Sequence, residues 1–190
     1  MAARAAIAAL LWVAAGCGSD AEPRRQSTGE PPAQVPIQAL TLSGSGVGCL
    51  KLGSAVMSLP PDCVLLSDST GPGPEGMEER RVHVRIGTDT LAATVVADAI
   101  WRIEVSDPTI RTRDGLGVGS SAQALLQRPG SRMIGGEGRL FVVNGAHCGL
   151  SFEVSDPRLA GLAADSAAGL IAPGMIVSRV LAFGCSAGME

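Results

Sequence analysis

The pentapeptide Glu-Val-Ser-Asp-Pro occurs twice, at Glu104–Pro108 and at Glu153–Pro157, each time closing a run in which bulky apolar residues alternate with polar ones. A period of two confines such a run to a half-buried strand. Trp101, Ile103 and Val105 are expected on one face, with Arg102, Glu104 and Ser106 on the other, and Leu150, Phe152 and Val154 repeat the pattern. Each strand then stops, because proline holds the preceding Asp107 or Asp156 in extended geometry and donates nothing to a ladder. Upstream lies a second matching pair, Leu50-Lys-Leu-Gly-Ser to Leu59 and Leu116-Gly-Val-Gly-Ser to Leu125. Two related units, 37–109 and 110–190, are the expectation.

In the first unit, Gly44–Gly48 reads as a turn, and Ser54 is placed to cap a short helix over Ala55–Leu59 that Pro60-Pro61 halts. Cys63–Leu66 is expected as a strand, Ser67–Glu79 as a Gly/Pro/acidic loop, and Val82, Val84 and Ile86 as the buried side of the next strand. Leu91–Ala97 and Ile100–Ser106 form the hairpin that follows. In the second unit Ser120 or Ser121 caps a helix over Ala122–Gln127. Strands are expected near Arg132–Ile134, Leu140–Val143, Cys148–Ser155 and Ile176–Phe183, with Asn144-Gly145 as a tight turn and a helix around Arg158–Leu170.

With 46% apolar and 17% charged residues over 190 positions, the chain can bury one core or two small ones. A net charge of −3 and no basic block beyond a pair of arginines exclude an electrostatic footprint for nucleic acid. At the N-terminus a single charge, Arg4, precedes an apolar run from Ala5 to Ala15 that ends in Ala14-Ala15-Gly16-Cys17. The run is too short to span a bilayer and suits a cleaved export signal of residues 1–16. It resembles the bacterial lipoprotein signal, in which the cysteine is lipidated and becomes the first mature residue; here that is Cys17, and Ala14 stands where such signals most often carry Leu. The resemblance implies palmitate on Cys17, anchoring in the bacterial cell envelope, and, from Gly18 rather than Asp after the cysteine, the outer membrane. An ordinary secretory signal cut at the same small residues is the alternative. The Gly/Ser/Pro/Gln-rich stretch to Pro36 has no apolar period and reads as a disordered tether, residues 17–36, with a reach of about 25 Å.

Cys49, Cys63, Cys148 and Cys185 remain, an even number in an exported chain, and are expected to form disulfides. Three connectivities are open; if each unit is self-contained, Cys49 pairs with Cys63 and Cys148 with Cys185, each bridge contributing about 3 kcal/mol by loop closure. No C-x-x-C occurs, and a metal or redox site is not expected. Gly115-Leu-Gly117-Val-Gly119-Ser precedes a helix but lacks the lysine and spacing of a phosphate loop, so it reads as a turn. His83 lies between Arg81 and Arg85 on the polar side of its strand, and His147 adjoins Cys148; neither sits in a nucleophile motif. Asp107 and Asp156 could pair as an acid and a base, yet ending a strand is reason enough for each. Trp101, the one tryptophan outside the leader, is expected to anchor the core beneath the helices, an exposed binding anchor being the alternative.

Short helix then strands, twice over, predicts an α+β fold of two tandem repeats with the helices on one face of an antiparallel sheet. The Gly-x-Gly-Ser helix entry, the duplicated hairpin and the cysteine pairs resemble the tandem helix–sheet repeats of beta-lactamase inhibitory protein-like domains and of the small lipoprotein of the barrel-assembly machine. That resemblance covers roughly residues 46–185, and the halt at Pro60-Pro61 departs from the longer helices of those families. The expected function is a membrane-anchored, non-catalytic protein-binding or assembly module without cofactor or metal. A small envelope hydrolase using His147 or His83, and a carrier of an apolar ligand, are the competing readings.

Overall fold

The structure, a computed structural model, describes residues 40–73 and 76–185, all within the compact unit Ile37–Glu190. Cys17, the export signal and the tether lie outside the described residues. Eight strands form one antiparallel sheet: β4 (Cys63–Pro72), β5 (Glu78–Ile86), β6 (Asp89–Val96), β7 (Ala99–Val105), β8 (Ser131–Gly136), β9 (Arg139–Asn144), β10 (Leu150–Val154) and β11 (Val177–Ala182). Their order across the sheet is β4-β5-β6-β7-β11-β10-β9-β8. Three two-residue strands, β1 (Leu42–Ser43), β2 (Gly46–Val47) and β3 (Leu50–Lys51), make a separate small sheet. The helices are α1 (Ala122–Leu126) and α2 (Ala164–Ala168).

The expected α+β class is therefore corrected: the described residues are 48% strand and 13% helical, a β-rich fold, and the helix–sheet repeats of the resemblance are not its architecture. The reason is local. Pro60-Pro61 leaves only a three-residue 3-10 turn at Val56–Ser58, and Ala55, not Ser54, begins it, with no side-chain cap. The expected helix over Arg158–Leu170 breaks at Gly161, whose φ of +75° no helix accommodates, leaving a 3-10 turn at Pro157–Leu159 and the five residues of α2. Helices this short cannot blanket an eight-stranded sheet; α1 and α2 pack at its β8 end. Two further expectations change. Ser67–Pro72, read as loop, is strand, because it pairs residue for residue with Glu78–His83. Asn144-Gly145 is not a tight turn, since the Asn144 side chain accepts from the Ala146 N–H and starts a 3-10 turn at Gly145–His147.

One face of the sheet carries the core. Val82, Val84, Leu91, Ile103, Val105, Phe152 and Val180 are buried there under Leu42, Val47 and Leu50 of the small sheet, Ile110 and Leu116 of the loop, and Leu125 of α1. Segment Gly53–Val56 bonds to the start of β7, Gly53 N–H to Ile100 O at 2.8 Å and Ile100 N–H to Ser54 O at 2.9 Å. Ile103–Val105 of β7 pair with β11, which fuses the two expected units into a continuous sheet. The β6–β7 hairpin turns on Ala97 and Asp98, both at positive φ as a two-residue primed turn requires.

Candidate functional site

Strands bury one face, so alternate residues must emerge on the other, and here many of those residues are charged. Arg81 and Glu79 come from β5, Thr94 from β6, Arg102 and Glu104 from β7, Arg179 from β11, Glu153 from β10 and Arg139 from β9. They form one ladder of ion pairs: Arg81–Glu79 at 3.1 Å, Arg102–Glu79 at 2.7 Å, Arg179–Glu104 at 2.9 Å, Arg179–Glu153 at 3.2 Å and Arg139–Glu153 at 3.3 Å. Glu137, in the β8–β9 turn, adds a 2.5 Å bond from Arg102. Four arginines meet four glutamates, so the ladder is neutral. Glu104 and Glu153 are the glutamates of the repeated pentapeptide, and they clasp Arg179 from both sides because β11 runs between β7 and β10.

Arg102 is 5% exposed, a charge that water does not solvate and that only paired carboxylates can hold. Burial pushes the Glu79 carboxyl upward, but the Thr94 hydroxyl that donates to it at 2.6 Å and the charges of Arg102 and Arg81 outweigh this and hold it below its ordinary 4.5. Among the described residues, the Nε atoms of Arg81 and Arg102 are buried without a partner.

Beside Arg102 the β6–β7 ladder slips: Thr94 pairs with Arg102 and Val95 with Ile100, leaving Trp101 as the extra residue of a bulge. Ile100 takes the core position at 1% exposure, and Trp101 turns to the polar face at 51% exposure. The core anchor expected of Trp101 is thus corrected to an exposed one. The Arg102 guanidinium carbon lies 5.4 Å from its ring centroid, within cation–π range. With the exposed Met77 and Val96, Trp101 walls an open cleft of about 450 Å³ whose polar groups are Glu78, Glu79, Thr94, Arg102 and Glu137. Bulges frequently re-aim a side chain at a binding site, and the volume is that of a small-ligand pocket. Sequence alternation exposed the polar character of Arg102 and Glu104, but nothing local marked the slipped register that brings Trp101 to them.

Elsewhere the sequence candidates separate. His83 Nδ1 lies 2.9 Å from Ser67 Oγ on the exposed β4–β5 pair, with no acidic group bonded to the ring among the described residues. His147 Nε2 lies 3.2 Å from Asp114 and 3.3 Å from Arg128. Hydrogen bonds from Arg128 and Thr112, with His147 beside them, lower Asp114 to about 2. Asp107 and Asp156 are not a pair: Asp107 accepts from Thr109, and Asp156, lowered to about 2, from Arg158. The glycine loop is a turn; a Cβ on Gly117 would meet Ile110 O at 2.8 Å, while Arg111 donates to the carbonyls of Gly115 and Val118. Cys49 bonds Cys63, and Cys148 bonds Cys185. The described residues hold no cluster of three metal-ligating side chains, and no helix among them is long and apolar enough to cross a membrane.

Fold and face together define an antiparallel β-sheet protein stapled by two disulfides, with an ion-paired outer face and one aromatic cleft. No protein-family model and no curated protein matches the chain. Among solved structures it is similar to the uncharacterized protein yfeY from Escherichia coli, at 17% identity and a TM-score of 0.52, covering 75% of this chain and 99% of that one. At that identity the likeness shows the fold alone.

Proposed function

We propose that the chain is an exported, lipid-anchored envelope protein whose folded part is a non-catalytic binding module, with the Trp101 cleft as its contact site. The observation that carries the reading is the state of the cleft's charges. Arg102 engages Glu79 and Glu137 and the Thr94 hydroxyl donates to Glu79, so the exposed Glu78 has no free nucleophile beside it in the cleft, whereas the cleft's one large aromatic side chain stands open. The lipoprotein-like sequence ending at Cys17 and the two disulfides support the address outside the cytoplasm. The expected result with labelled palmitate is incorporation into the wild-type chain and none into Cys17→Ser. Co-purification from detergent-solubilised membranes is expected to recover a companion with the wild type that is lost with Trp101→Ala. Equal recovery with both would remove the cleft from the account. The hydrolase alternative rests on the Ser67–His83 pair at 2.9 Å; a hydrolytic activity abolished by His83→Ala would establish it instead.

A further inference from the structure

The cleft beside Trp101 sets three carboxylates, Glu78, Glu79 and Glu137, against the one guanidinium of Arg102, so two negative charges stand in excess along its lining. Arg81 does not cancel the excess, because it is shared between Glu79 at 3.1 Å and Glu104 at 3.7 Å. The three carboxylates are unequally committed. Glu79 accepts from Arg102, Thr94 and Arg81. Glu137 accepts from Arg102 through Oε1 alone, and among the described residues its Oε2 and both oxygens of the exposed Glu78 have no donor. Beside these open acceptors the walls are apolar, formed by the exposed side chains of Met77, Val96 and Trp101.

We propose that the cleft receives a primary alkylammonium, presented as a lysine side chain by the partner protein; the inference rests on the binding reading above and names the group that the site takes. The excess of carboxylate fixes the sign of the incoming charge. Apolar walls next to it call for a stem of methylenes behind that charge, which lysine has and a metal ion lacks. Three N–H donors fanning from one nitrogen match acceptors on separate residues, where the planar fork of an arginine matches a single carboxylate and a quaternary ammonium donates nothing. The neighbouring position already uses this chemistry: Arg102 lies 5.4 Å from the Trp101 ring centroid and bonds two of the same carboxylates. Its charge is balanced by those two, which leaves Glu78 and the second oxygen of Glu137 for the arriving cation. The single lysine of the chain, Lys51, lies in β3 of the small sheet that roofs the opposite face, so no lysine of the same chain competes for the cleft.

The test titrates the full chain carrying Trp12→Phe with three short peptides, identical but for a central lysine, norleucine or glutamate, and reads Trp101 fluorescence. The lysine peptide is expected to give a saturable change with a midpoint at least tenfold below that of the norleucine peptide, the glutamate peptide being weakest. Glu78→Gln, a change at an exposed side chain, is expected to raise the lysine midpoint threefold or more, with the norleucine midpoint and the circular dichroism unchanged. No saturable change with any peptide, equal midpoints for lysine and norleucine, or a lysine midpoint indifferent to Glu78→Gln overturns the proposal. So does preference for the glutamate peptide, which would make Arg102 the receiving group. Co-purification separates this failure from that of the binding reading. A companion lost with Trp101→Ala but recovered in full with Glu78→Gln keeps the cleft as contact site and rejects lysine as its occupant, whereas recovery unchanged by Trp101→Ala rejects both.

Discussion

Trp101 owes its position to a single unpaired residue. The slip between Thr94 and Val95 sends Ile100 inward, carries Trp101 outward and sets Arg102 over the glutamates. Arg102 is the costly member of this arrangement. Arg102→Ala leaves Glu79 and Glu137 without their shared partner, and a loss of about 3–5 kcal/mol in urea unfolding is expected, larger than for any exposed arginine such as Arg85. Arg179 couples the two pentapeptide glutamates. Glu104→Gln and Glu153→Gln are therefore expected to be non-additive by about 0.5–3 kcal/mol in a double-mutant cycle, while simple additivity would show that Arg179 does not link them. Glu79 sets the sign of the pH response. Its folded value lies below the ordinary 4.5, so its contribution is complete above about pH 4.5 and is lost as the pH falls through the lowered value; Asp114 and Asp156, at about 2, give way later. An acid limb beginning near pH 4.5 that flattens in Glu79→Gln is the expected profile of the urea midpoint.

Among the elements, those with a strong local pattern stand where the sequence places them. Val82, Val84 and Ile86 line the core, α1 starts at Ser121, whose side chain accepts from the Ala124 N–H, and β11 falls inside Ile176–Phe183. Of the segments that differ, two show the physical cause plainly, one from across the sheet and one from a single residue within it. Ser67–Pro72 has turn composition, yet Asp68 finds Arg80 and Ser67 finds His83 across the ladder, so pairing overrides propensity. Arg158–Leu170 has helical spacing, but Gly161 interrupts it. The Arg/Glu ladder was half legible: Glu104 and Glu153 stood at the same place in a repeated motif, whereas their common partner Arg179 became visible only once β11 was seen between them. The two disulfides differ in setting, Cys63 being 5% exposed while Cys148 and Cys185 face solvent. Mild reduction followed by alkylation is expected to label Cys148 and Cys185 before Cys49 and Cys63.

At the scale of the whole molecule, the sheet divides its labour between faces. One face, roofed by the small sheet and the loops around Ile110 and Leu116, holds the apolar core; the other holds a neutral ladder of ion pairs with the Trp101 ring standing out of it. Two bridges tie loops to the sheet: Cys49–Cys63 links the residue before β3 to the start of β4, and Cys148–Cys185 links the loop before β10 to the segment after β11. A binding reading follows from this division, because the charges of the ladder are spent on one another and the Trp101 ring is not. The exposure of Trp101 is the point on which the site depends. In the folded chain carrying Trp12→Phe, so that Trp101 alone emits, acrylamide quenching is expected to be efficient and the emission maximum solvent-like. A blue-shifted emission protected from acrylamide would return Trp101 to the core and contradict the cleft.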